Sequence, residues 1–391
     1  MKSINLVFLF TLIVVNSTSV LSQKIEEWRG KNRQGIYYEK GLLEKWPANG
    51  PDLLWAVENI GQGYAAPVIT DNLIVINGES EGKSFVFAFD KKGNLIWKSP
   101  NGGEFTGDGF SANYPGARST PTVVDGLVYA ISGKGHLGCF ELSTGKTKWE
   151  SDLVAKLGGF ENMFGYAESP LISGDTLFCS PGGQVNNVVA LNRLTGQLLW
   201  TSKATGDTTS FCSPILINLP KAKVFVNISR HHIYGLDATN GKLLWKQHLA
   251  AFRYEGEHCN TPVYNNGFIY YTTADENGNG TVCLKISEDG KSITEIWRNK
   301  ETGGAFGGMV LLENRLFLTT NGKKLVSFDV SDGKEVAALK PCKGGLIYAG
   351  NQFYCNDENG QMKLIGFNGK TFEEMVNLKF QKGTRNIFLI R

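Results

Sequence analysis

Short apolar runs rich in β-branched and aromatic residues alternate along this chain with polar turn residues, and the alternation has a repeating unit. Its clearest copy spans Ser119 to Trp149. Ser-Thr-Pro opens onto Thr122-Val123-Val124, the chain turns at Asp125-Gly126, and it resumes as Leu127-Val128-Tyr129-Ala130-Ile131. A Gly-rich break, the run Gly138 to Glu141, a Ser143-Thr144-Gly145-Lys146 turn and a last run closing on Trp149 complete it. Runs of this composition separated by such turns predict four antiparallel strands joined by hairpins. The opening recurs at Ala66-Pro67, Ser169-Pro170, Ser213-Pro214 and Thr261-Pro262, and the closing tryptophan at Trp55, Trp97, Trp200, Trp245 and Trp297. Two further units, Gly308 to Ala337 and Gly345 to Val376, keep the pattern without the tryptophan. A lone four-stranded sheet cannot cover both its faces, so such units stack radially as blades. The pattern therefore predicts an all-β fold: a β-propeller of four-stranded antiparallel blades, with seven full repeats and an incomplete eighth closed by the N-terminal strand around Trp55. The only candidate partner for that strand is Asn386 to Ile390.

The turn before each tryptophan has its own signature, clearest in Ala190-Leu191-Asn192-Arg193-Leu194-Thr195-Gly196-Gln197-Leu198-Leu199-Trp200. An Asp or Asn side chain bonds the backbone two residues on, Gly supplies a left-handed turn residue, and the indole packs against the next blade. This turn resembles the tryptophan-docking motif of the pyrroloquinoline-quinone-type propellers. The resemblance runs from Trp28 to the C-terminus, since Trp28-Arg29-Gly30-Lys31-Asn32-Arg33-Gln34-Gly35 is similar to an opening common in secreted bacterial members, from which Lys31 and Gln34 depart. It implies blade-docking roles for Trp97, Trp149, Trp200, Trp245 and Trp297.

Before that opening, Lys2 and an apolar run from Ile4 to Val15 have the form of a secretory signal, so residues 1–22 are expected to be removed and residues 23–391 to form one propeller domain, exported to the periplasm or beyond. No later window has the length of a membrane helix. A formal charge of +3 with no basic cluster gives no electrostatic case for nucleic acid or an anionic membrane. Seven cysteines at irregular spacing do not make a disulfide framework. Cys139, Cys179, Cys212, Cys259, Cys283 and Cys355 fall in or beside predicted strands, where buried thiols are expected, with one pair among them, not assignable from the sequence, as the alternative.

Several chemical motifs fail on context. Gly133 to Gly138 fits a dinucleotide fingerprint but lies between strands with no helix to hold a phosphate. Asp275 to Gly280 begins like a calcium loop, yet Ile286 stands where the bidentate Glu belongs, so a hairpin tip is expected. Arg230-His231-His232 is read as a solvated hairpin tip rather than a metal site, because adjacent strand residues point to opposite faces. No catalytic or metal-ligating residue is assigned.

What varies between repeats is the residue set just before each strand-opening Pro. These positions, fed by long Gly-rich loops, should lie at one end of the central channel. They supply the candidate ligand-binding residues Tyr64, Arg118, Tyr166, Glu168, Glu257 and His258, which are expected to converge there. Two readings stand: the cluster orients a small polar or anionic ligand, or its members pair with one another and seal the mouth. The leading functional expectation is a monomeric, non-catalytic binding module for a protein, glycan or small ligand, with no cofactor. The alternatives that the resemblance implies are a quinone-dependent dehydrogenase of alcohols or sugars, using pyrroloquinoline quinone with calcium, and an envelope assembly scaffold.

Overall fold

The computed structural model describes residues 23–47, 50–249, 258–273, 279–304, 306–357, 359–379 and, as backbone, 387–390. The expected signal segment, Glu257, the loop from Phe252 to Gly256 and most of the Asp275 hairpin lie outside the described residues. The rest is a ring of antiparallel sheets. Seven of them carry four consecutive strands each, spanning Val68 to Gly103, Thr122 to Asp152, Leu171 to Ser202, Ile215 to His248, Val263 to Asn299, Met309 to Leu339 and Gly345 to Lys379; they are blades 1 to 7. The strand Leu53–Val57 pairs antiparallel with Ile387–Ile390, with Trp55 opposite Leu389, to make a two-stranded eighth blade. The half blade expected around Trp55 is thus present among the described residues, built from strands that lie at opposite ends of the sequence.

Burial follows the blades in pairs. Seven hydrophobic clusters form, each across one boundary between neighbours: Val57, Ile60 and Phe87 between the half blade and blade 1, Phe140 with Val75 between blades 1 and 2, and so on round to Phe317 with Phe353 between blades 6 and 7. Each sheet therefore completes its core only when a neighbour is in place. The seam between blade 7 and the half blade is the boundary at which the described residues form no such cluster.

The tryptophans mark the outer part of these boundaries. The indole N–H of Trp55 donates to Lys91 O, that of Trp97 to Leu142 O, that of Trp149 to Arg193 O and that of Trp297 to Val330 O, at 2.7–2.8 Å, and Trp200 reaches Ala238 O at 3.3 Å. Every acceptor lies in the turn of the following blade. Within the turn Asn192 Oδ1 accepts from the Leu194 and Thr195 N–H groups, and Gly196 (φ +74°) lies flat on the Trp149 ring, where an added Cβ would sit 2.8 Å from the indole. Trp149 and Trp200 are half-buried; Trp97, Trp245 and Trp297 are buried. Trp245 departs from the set, its Nε1 having no partner among the described residues. In blade 5 the turn runs Ser287 to Ser292 and its glycine, Gly290, closes one residue early, bonding back to Ser287 O, whereas Gly241 bonds back over one residue more to Asp237 O. The position that should face the indole is Lys291.

Candidate functional site

The residue before each strand-opening proline ties the blades together near the axis. Ala66 N–H donates to Thr120 Oγ1, Thr120 N–H to Ser169 Oγ, Ser169 N–H to Ser213 Oγ, and Ser213 N–H to Thr261 Oγ1, all at 3.0–3.2 Å. Thr261 Oγ1 donates back to Ser213 O. Asn260 continues the girdle into blade 6 by accepting from Gly308 N–H. Ser and Thr recur here because one short hydroxyl both caps the neighbour's free N–H and fits beside a proline that has none.

Inside this girdle the axis is filled by the N-terminal segment. The strand β1 (Ile25–Glu26) adds antiparallel to the first strand of blade 2, and β2 (Ile36–Tyr37) adds parallel to the first strand of blade 7, so the chain dips into the ring and returns. At the tip, Arg33 donates from Nη1 to Pro214 O, from Nη2 to Pro170 O and from Nε to Glu27, and it is 1% exposed. Arg29 donates to Leu346 O and Met309 O. Gln34 reaches Tyr264 O. Side chains from one short loop thus satisfy carbonyls of blades 3, 4, 5, 6 and 7. Arg29, Asn32 and Arg33 all take left-handed backbone, a cost that only such tertiary bonds hold in place. Gly35 is required beside them, because a Cβ would meet the Arg29 guanidinium at 2.1 Å.

The loops that precede the first strands form one face of the ring, and that face carries aromatics. The Arg118 guanidinium lies over the rings of Tyr64, Phe105 and Phe164 at 4.9–5.6 Å and donates to Gly116 O and Tyr114 O. Phe164 continues the patch edge-on to Tyr114 and to Phe211. Around this stack Tyr64, Phe110, Tyr114, Phe160 and Met163 are 42–61% exposed. The hairpins on the opposite face show polar residues instead, such as Asn72, Asp125, Asp175, Asn266, Asn314 and Asn351.

The expected site residues divide accordingly. Tyr64 and Arg118 stack on each other at the aromatic face. Tyr166 is buried in the core between blades 2 and 3, its hydroxyl donating to Pro181 O. Glu168 is buried, accepting from Ser180 N–H at 3.0 Å and from the Asn227 amide at 3.3 Å; burial pushes its pKa up to about 7, against the pull of those bonds and of the Arg33 charge. His258 is buried as well, its Nε2 3.2 Å from Arg230 O and its Nδ1 without a partner among the described residues, and burial pushes its pKa down to about 4. The loops do line up round one rim, since Arg118 stacks on Phe164, Phe164 on Phe211, and Phe211 N–H donates to His258 O. The Glu168 carboxylate and the His258 ring nevertheless turn inward to separate partners, while Arg118 stays in the aromatic stack. Sequence reasoning missed the plug arginines and the exposed Phe110 and Phe160. It also missed Glu104, whose Oε1 accepts from the Phe105 and Gly133 N–H groups and whose pKa burial raises. The Arg230 to His232 hairpin is half-buried rather than solvated, with His232 paired to Asp207 at 2.7 Å. Among the described residues no three His, Cys, Asp or Glu side chains are placed to hold a metal ion.

Comparison with known proteins agrees with this architecture. The family model described as outer membrane protein assembly factor BamB matches residues 82–339, more than half of the chain. A tetrathionate hydrolase of Acidithiobacillus ferrooxidans is 26% identical over 265 residues, 59% of this chain and 49% of that protein. BamB of Moranella endobia is 24% identical over 294 residues, 72% of this chain and 67% of that one, and BamB of Shewanella oneidensis is 28% identical over 225 residues, 55% and 50%. The chain spans about half the length of the first and third of these relatives. Among solved structures, BamB from Moraxella catarrhalis superposes with a TM-score of 0.58 at 12% identity, covering 85% of this chain and 92% of that one, and a europium-containing methanol dehydrogenase with 0.52 at 11%, covering 90% and 84%. The chain belongs to the BamB family of PQQ-type repeat β-propellers.

Proposed function

We propose that this protein is a non-catalytic propeller of the cell envelope that holds a protein partner on its aromatic face. The observation that carries this reading is the exposed stack around Arg118. Tyr, Phe, Met and Arg are the residue types that anchor protein interfaces, because they present large rigid surface at low entropic cost. Here they project from loops that a rigid, plugged ring holds in place. The relatives named as assembly factors support a scaffold role, and the expected export of residues 23–391 would place that role outside the cytoplasm. No helix among the described residues is long and apolar enough to cross a membrane.

The chemistry around Glu168 supports leaving calcium and quinone out of the reading. Its two oxygens already accept hydrogen bonds, and the positive charge it feels is the buried Arg33. A calcium ion would need several free oxygen ligands there. Adding pyrroloquinoline quinone and Ca²⁺ to the purified chain should give no dye-linked oxidation of an alcohol panel, and turnover would overturn the non-catalytic part of the proposal. For the partner, a photo-crosslinking residue placed at Phe110 or Phe160 in cells should yield adducts with one protein, while probes at Asn314 and Asn351 on the opposite face should not. Adducts from the opposite face alone, or a glycan at Phe110, would refute the assignment.

A further inference from the structure

Seven cysteines are described, and two of them meet. Cys342, in the connection that leaves blade 6, and Cys355, in the second strand of blade 7, bring their Sγ atoms to 3.0 Å, and each is 2% exposed. The backbone explains the approach. Cys355 lies opposite Leu346 in the antiparallel pair that opens blade 7, and the chain from Cys342 to Leu346 folds back over that strand, its Cys342 N–H held by Lys323 O and its Lys343 carbonyl 3.4 Å from Cys355 Sγ. Lys363, from the next strand, donates its ammonium to Pro341 O and Glu374, beside the same pair. The other thiols have different company: Cys139 has Tyr129, Cys212 has Ser210 and Asn227, and Cys283 has Tyr270.

We propose that Cys342 and Cys355 are joined as a disulfide in the working protein, stapling the blade 6 connection to blade 7. The two Sγ atoms, 3.0 Å apart, stand about 1 Å beyond the S–S length of a disulfide, and 13 residues of chain separate the two cysteines. The bond forms by exchange with an external disulfide, protein or glutathione. The Cys342 thiolate attacks one sulfur of that disulfide and expels the other as a thiolate. The Cys355 thiolate then attacks Cys342 Sγ, releasing the second. Two thiols thereby lose two protons and two electrons, and the oxidant leaves as two thiols. Both sulfurs are covered once blade 7 packs, so exchange precedes that packing. The staple sits in the blade that also receives β2 and borders the incomplete eighth blade, where the ring has least to hold it shut.

The test is thiol mapping on the full chain. The protein is folded in a glutathione–glutathione disulfide buffer, quenched with acid, alkylated with N-ethylmaleimide in denaturant, and read by intact mass and a non-reducing peptide map. Five of the seven thiols should be labelled, with the Cys342 and Cys355 peptides joined. Reduction should lower Tm by a few degrees, and Cys342→Ser should show that lower Tm with or without reductant. Seven labelled thiols, or a bridge using any other cysteine, would overturn the proposal.

Discussion

Two buried titratable groups, Glu168 and His258, set opposite demands on the folded state. Glu168 has a folded pKa of about 7, above its ordinary 4.5, so the stability it confers is complete below about pH 4.5 and is lost as pH rises to about 7. His258 has a folded pKa of about 4, below 6.5, so its contribution is complete above about pH 6.5 and is lost as pH falls to about 4. Each shift corresponds to about 3 kcal/mol. The two slopes oppose one another between about pH 4.5 and 6.5, and the native chain should be nearly flat there in denaturant-monitored stability. Glu168→Gln should convert that plateau into stability that rises with pH; His258→Asn should convert it into stability that falls. Parallel profiles for both variants would contradict the assignment. Neither role was legible in the sequence. The Pro anchors place these residues at the rim, but whether a side chain faces solvent or core depends on a one-residue register that the anchors do not fix. Arg33 was unreadable for another reason, since the carbonyls it binds lie 137 and 181 residues away. Arg33→Met should cost about 3–5 kcal/mol by leaving Glu27 without its counterion, and Arg33→Lys should not restore it, because one ammonium cannot span three acceptors.

At the level of the element, the four-stranded blades and the half blade follow from pattern alone, because turn residues and β-branched runs are local signals. The docking of each Trp on the next blade was legible in the same way, from an acidic or amide residue and a Gly at fixed offsets. Blade 5 shows how narrow that signal is. Its glycine stands one residue early, and the indole of Trp245 loses its acceptor. This difference can be measured. Trp149→Phe should lose about 1 kcal/mol for the missing N–H to Arg193 O, on top of any packing change, whereas Trp245→Phe should lose only the packing change. Equal losses in urea titrations would mean that the hydrogen bond to the neighbouring turn carries no weight. Gly196→Ala should be more harmful than either, since it combines left-handed backbone with a clash against the Trp149 ring.

For the whole molecule, closure is shared among the half blade, the plug and the girdle of hydroxyls. Hydrogen exchange should therefore be fastest at Leu53–Val57 and in the outer strand of blade 7, beside the seam, and slowest in blades 3 to 5. The same architecture limits where a partner can bind. With Arg29 and Arg33 filling the axis, the channel is core, and the loop face offers its exposed aromatics to a partner instead. The measurement that tests this most directly is the affinity of the partner captured at Phe110 for the native chain and for a Phe110→Ser, Phe160→Ser double variant. Both side chains are exposed and outside the blade cores, so the variant should keep the native Tm while its Kd rises at least about tenfold, the loss of roughly 1.4 kcal/mol expected when aromatic anchors are removed. An unchanged Kd in a normally folded variant would contradict the account.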